Sequence, residues 1–114
     1  MKIYIAGPIS KYLNQGANKT AFLDAAEAIQ EQGHDAVIPH DLIEHLDLHP
    51  IDDYEQIMDI CLESLRQCDA VAMLPNWRDS KGANIEYNYA NRHKIPAKEV
   101  LMWVQEFRKQ KQVA

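Results

Sequence analysis

Asp69-Ala70-Val71-Ala72-Met73-Leu74, then Pro75-Asn76-Trp77-Arg78-Asp79-Ser80, then a helical stretch from Lys81 to His93, is the passage on which the fold turns. Asp69–Leu74 is an almost continuous apolar run, the pattern of a strand covered on both faces. Such strands sit in parallel sheets, and further strands are readable upstream. Lys2 to Ala6 is apolar and β-branched and ends at Gly7-Pro8, while Ala36-Val37-Ile38 is closed by Pro39. Between them, Ala17, Ala21, Phe22, Ala25, Ala28 and Ile29 recur at helical spacing over Gly16–Gln32, with Gly33 as the stop. Tyr54, Ile57, Cys61, Leu65 and Cys68 form one stripe of a helix over Asp53–Gln67. Asp41–Pro50 reads as irregular or as a short helix. Ile95 is expected to begin a short fourth strand before Pro96, and Val100, Leu101, Val104 and Phe107 mark a last amphipathic helix. Strands alternating with helices predict an α/β fold, a small parallel sheet with helices on both faces. Ligands of such sheets sit beyond the carboxyl ends of the strands. The loops Gly7–Tyr12 and Pro75–Lys81 occupy that edge.

Composition bounds the function classes. The chain has 114 residues, 46% apolar and 25% charged, which suits one globular domain over residues 1–114. Twelve basic against seventeen acidic side chains give a net charge of −5, and the dense basic run is confined to Arg108, Lys109 and Lys111. No basic face is available to displace counterions, so a small molecule is expected rather than a nucleic acid. No stretch nears the roughly 20 apolar residues of a membrane span. The opening MKIYIAGP is too short an apolar run for a secretion signal, so a cytoplasmic protein is expected. Cys61 and Cys68 are read as buried free thiols.

Two loops carry the candidate chemistry. Ala6-Gly7-Pro8-Ile9-Ser10 joins a residue without a side chain to a nearby hydroxyl. It is either a ligand-approaching loop or a tight turn, and it is neither a Walker loop nor a dinucleotide fingerprint. Asp79-Ser80-Lys81-Gly82-Ala83-Asn84-Ile85-Glu86 opens a helix whose free N–H groups suit an anion. Ser80 is either a phosphate ligand or a helix N-cap. With Ala83 and Ala90 turned to the sheet, Glu86 lies on the pocket side, as a nucleophile or base, or else as a solvated surface carboxylate. Trp77 either stacks on a nucleobase or packs against the first loop.

Ile3-Tyr4-Ile5-Ala6-Gly7-Pro8, Cys68-Asp69-Ala70-Val71, and Trp77-Arg78-Asp79-Ser80-Lys81-Gly82-Ala83 leading to Glu86 together resemble the nucleoside 2-deoxyribosyltransferase superfamily. They are similar to its small bacterial and phage relatives and to the 2′-deoxynucleoside 5′-phosphate N-hydrolases. The resemblance runs over roughly residues 1–96 in element order. It implies a flavodoxin-like, Rossmann-like three-layer sandwich, with Glu86 as nucleophile and Tyr4 orienting it. It implies attack of Glu86 on the anomeric carbon, a covalent glycosyl ester, and no metal or organic cofactor. Ser80 stands six before Glu86, where the hydrolases have a phosphate-binding serine and the transferases an acid. The expected reaction is therefore hydrolysis of a deoxynucleoside 5′-monophosphate, with base exchange as the alternative. Gly7, Pro8, Ile9, Ser10, Trp77, Asp79, Ser80 and Gly82 are the expected substrate-binding residues.

Departures from the pattern accompany the resemblance. Pro8 replaces a frequent serine, Asn84 replaces a glycine, and Cys61 replaces an acid that contacts sugar or base. The resemblance also implies a homodimer or larger oligomer, with Tyr87 or Tyr89 and the helix bearing Trp103 and Phe107 as candidate contacts. Two rivals stand beside it. A non-catalytic nucleotide-binding module is one. The other is a metal site at His40, Asp41, His45 and His49, which lack the companion motifs of zinc proteins.

Overall fold

The computed structural model describes residues 1–8, 16–49 and 52–112. Its centre is an all-parallel sheet of β1 (Lys2–Ala6), β2 (Asp35–Val37), β3 (Ala70–Met73) and β4 (Ala97–Glu99), in the order β2-β1-β3-β4. Tyr4 stands opposite Val37 on one side and Val71 on the other. All four residues of β3 are buried, as a strand sandwiched by helices requires.

The helices are α1 (Gly16–Glu31), α2 (Pro39–Ile43), α3 (Tyr54–Arg66), α4 (Lys81–Arg92) and α5 (Val100–Gln112). α1 packs on β1 and β2, and α5 packs on β3 and β4 and against α1. α4 covers the other face of β1, β3 and β4, with α3 beside it and α2 beside α3. This is a flavodoxin-like three-layer sandwich. The buried stripe of α3 is Ile57, Cys61 and Leu65, and Trp103 of α5 is anchored by its indole N–H donating to the Val71 carbonyl at 2.8 Å.

Local signals end the helices. Gly33 has φ +86°, and the N–H of His34 reaches back to the Ile29 carbonyl, closing α1 in a Schellman turn. α4 closes the same way on Lys94, a non-glycine residue at φ 58°. The Ile95 N–H donates to the Ala90 carbonyl at 2.8 Å.

That closure corrects the expected fourth strand. Ile95 belongs to the helix end, and pairing with β3 begins at Ala97, after the Pro96 carbonyl accepts the Val71 N–H at 2.9 Å. β2 likewise runs one residue earlier than expected, because Ile38 is the N-cap of α2 and Pro39 its first residue. On the helix expected as a candidate contact, Trp103 and Phe107 are buried within the protein, 4% and 2% exposed, with Phe107 stacked on His34. The exposed apolar residues of α5 are Leu101 and Met102.

Candidate active site

Side chains alternate along a strand, so Tyr4 leaves β1 on the face opposite Ile3 and Ile5. It meets α4, whose buried residues are Ala83, Glu86 and Ala90. Two alanines allow the helix close to the sheet, and the longer Glu86 between them reaches into the interior. The Tyr4 hydroxyl donates to Oε2 of Glu86. Both residues are out of water, Tyr4 at 0% and Glu86 at 4% exposure. Cys61, from α3, lies near both Tyr4 and Glu86.

Burial governs the electrostatics of this triad. Glu86 is pushed up to about 8 by the loss of water, and the Tyr4 hydrogen bond pulls it partly back. Burial and the nearby Glu86 charge push the Cys61 thiol up to about 12. Tyr4 is raised well above the usual phenol range by burial first and Glu86 second. At neutral pH Cys61 and Tyr4 hold their protons, and Glu86 is the one group of the three that titrates near physiological pH.

Glu86 opens on a narrow cleft. Gly7 at the end of β1, Ser80 and Gly82 at the start of α4, and Tyr54, Ile57, Met58 and Cys61 of α3 complete its lining. The cleft lies at the carboxyl ends of β1 and β3, where the strand order reverses, the usual ligand position of such sheets.

The structure thus brings Gly7, Ser80, Gly82 and Glu86 to one cavity, with Tyr4 bonded to Glu86 from the interior. A Cβ on Gly7 would stand 2.6 Å from Leu74 Cδ1 and 3.1 Å from Phe22 Cζ, so the close approach that demands glycine is to the protein itself. Pro8 is buried beside it, and Ile9 and Ser10 lie outside the described residues. Ser80 caps α4, its Oγ accepting the Ala83 N–H at 3.2 Å. Asn84 braces the turn, with its amide donating to the carbonyls of Arg78 at 3.0 Å and Ser80 at 2.8 Å. A glycine at 84 could not do this.

Trp77 and Asp79 do not line this cleft. They form a 3-10 turn, with Asp79 exposed and the Trp77 indole packed 4.6 Å from the Tyr87 ring, capped by the Arg78 guanidinium. Trp77 faces a separate groove that it shares with Tyr87, Arg78 and Met102. Tyr54 and Met58 are lining residues that the sequence reading missed. The available signal was a phenol at the start of an otherwise apolar helix stripe.

The histidines do not converge. Among the described residues no group of three His, Cys, Asp or Glu could hold a metal. His40 is fully buried with its Phe22 neighbour at a ring distance of 4.7 Å, and burial lowers its pKa. Cys61 and Cys68 are free and buried. Asp69, at the far end of β3, accepts the Lys2 N–H at 2.8 Å and joins β1 to β3.

Comparison with solved structures finds a likeness of fold to a 2-deoxyribosyltransferase from the psychrotolerant bacterium Bacillus psychrosaccharolyticus, a biocatalyst for the synthesis of antiviral and antitumoral nucleosides. The TM-score is 0.64 over 85% of this chain and 69% of that one, at 19% identity. The fold implied by the three sequence motifs is therefore the fold found. No curated protein matches the sequence. Residues 1–99 match the family described as Domain of unknown function (DUF4406), and the chain belongs to that family.

Proposed function

We propose that this protein cleaves the N-glycosidic bond of a 2′-deoxynucleoside 5′-monophosphate, with Glu86 as nucleophile and Tyr4 as its orienting partner. The observation that carries the reading is the buried Tyr4–Glu86 pair at the strand-order reversal of a flavodoxin-like sheet. Glu86 in its ionised form attacks C1′, the C1′–N bond breaks, and the electron pair leaves with the base, which takes a proton. Water then attacks C1′ of the glycosyl ester and loses a proton to solvent, the ester C–O bond breaks, and Glu86 is regenerated as the carboxylate with release of 2-deoxyribose 5-phosphate. The Tyr4 hydroxyl stabilises the carboxylate in both halves. Ser80, Gly82 and the 7–10 loop form the phosphate end in this reading, and Ser80 both caps its helix and faces the ligand.

The reading treats residues 1–114 as one cytoplasmic domain that works as a homo-oligomer. The net charge of −5 supports a free nucleotide over a polymer. A second reading, base exchange between nucleosides, is supported by the fold shared with a 2-deoxyribosyltransferase.

A panel assay separates them. Each common deoxynucleoside and its 5′-monophosphate is incubated with the protein, alone and with a second free base. Base release from monophosphates alone, lost in Glu86→Gln, is the expected result. Exchange on unphosphorylated nucleosides assigns the transferase reaction. Binding without either reaction leaves a nucleotide-binding module.

A further inference from the structure

We propose that Tyr54 is a substrate-contacting residue of the Glu86 cleft, its hydroxyl pairing with the 3′-hydroxyl of the bound deoxyribose. The inference rests on the nucleotide reading above and adds to it the residue that reads the sugar.

The observation is an orphaned phenol. The Tyr54 hydroxyl is shielded from solvent and has no hydrogen-bond partner among the described residues. Buried polar atoms are nearly always paired, and one left unpaired inside a cleft is a group awaiting a partner. Its surroundings fix it there. Tyr54 is the first residue of α3, so its backbone is held by the helix. The Lys81 ammonium lies 5.5 Å from the ring centroid. A Cβ at Gly82 would stand 3.4 Å from the hydroxyl and 3.2 Å from Met58 Sδ, so the oxygen occupies space left open by that glycine.

Position along the helix supports the sugar assignment. Tyr54 and Cys61 are two turns apart on one face of α3, and both line the cleft with Glu86. Glu86 must stand beneath C1′ for the proposed attack, so the furanose lies over this face. Among the described residues, the Tyr54 hydroxyl is the unpaired side-chain oxygen that α3 offers to the ring. A phenol both donates and accepts, and so does a 3′-hydroxyl.

The test compares Glu86→Gln, which binds without turnover, with the double variant Glu86→Gln/Tyr54→Phe. Binding of the common 2′-deoxynucleoside 5′-monophosphates and of their 2′,3′-dideoxy counterparts is measured by calorimetry. Loss of the phenol hydroxyl is expected to weaken the deoxy ligands about tenfold and leave the dideoxy ligands unchanged. The unliganded double variant is expected to melt no lower than its parent, since no protein hydrogen bond is lost. Equal weakening of both ligand sets, or of neither, overturns the assignment, and so does a lowered Tm. Failure of the parent Glu86→Gln protein to bind any monophosphate is read before Tyr54 is changed. That result overturns the nucleotide reading, and this assignment with it.

Discussion

The Tyr4 hydroxyl on β1 donates to Oε2 of Glu86 on α4, joining residues 82 apart in the chain inside the protein. The carboxylate has exchanged water for one phenol and a neighbouring thiol. Its proton affinity is therefore the property through which the site can be examined.

Glu86 titrates at about 8 in the folded protein against about 4.3 in an unfolded chain. The native state then binds more protons than the unfolded state between those values. Stability is highest below the unfolded pKa and falls as pH rises through about 8. Glu86→Gln is expected to remove this part of the slope in denaturant titrations across the window. The rate should show the opposite trend, because the nucleophile must be ionised. kcat/KM for base release is expected to rise with pH to a plateau, with its midpoint near 8.

Tyr4→Phe removes the donor that favours the ionised carboxylate. A hydrogen bond to a charged group contributes about 1.5–3 kcal/mol, which corresponds to about one to two pH units. The rising limb of kcat/KM is expected to move up by that amount. At pH 7 the variant should be at least tenfold slower, by roughly the same conversion. A limb that stays in place would show that the phenol does not control the acid.

Ser80→Ala deletes the cap on the Ala83 N–H. The expected cost is about 1 kcal/mol, seen as a Tm lower by a few degrees. A serine that only caps would leave substrate preference alone. A phosphate-binding serine makes the ratio of kcat/KM for monophosphate over nucleoside fall in the same variant, and that fall is the expected result.

Lys94 holds a left-handed conformation at the end of α4, with φ 58°. A side chain there costs about 1 kcal/mol that glycine does not. Lys94→Gly is expected to raise stability by about that amount in urea unfolding, with no effect on activity.

Much of the fold was legible because local rules and tertiary demands agree. β3 reads as buried from its apolar run and is buried at every residue. Gly33 reads as a helix stop and adopts the positive φ that such a stop uses. The start of β4 was not legible. Ile95 is as suitable for a strand as its neighbours, and the Ala90 carbonyl claims its N–H only after α4 has turned on Lys94. For Trp77 the sequence left base stacking and loop packing open, because a loop indole carries no sign of direction. The Tyr87 ring, one face of α4 away from Glu86, decides where it packs.

The sequence by itself determined the element order, the parallel class of the sheet and the inward turn of Ala83 and Ala90, since spacing along one element reports which side is buried. Only the tertiary structure decided that Glu86 is buried between them and what that side meets. Tyr4 and Cys61 converge on Glu86, and Tyr54 ends in the same cleft without a partner among the described residues, because strand pairing and helix packing bring together residues with no mutual spacing in the chain. The raised proton affinity of Glu86 follows from that convergence: burial is a property of the assembled layers, and no single element contains it.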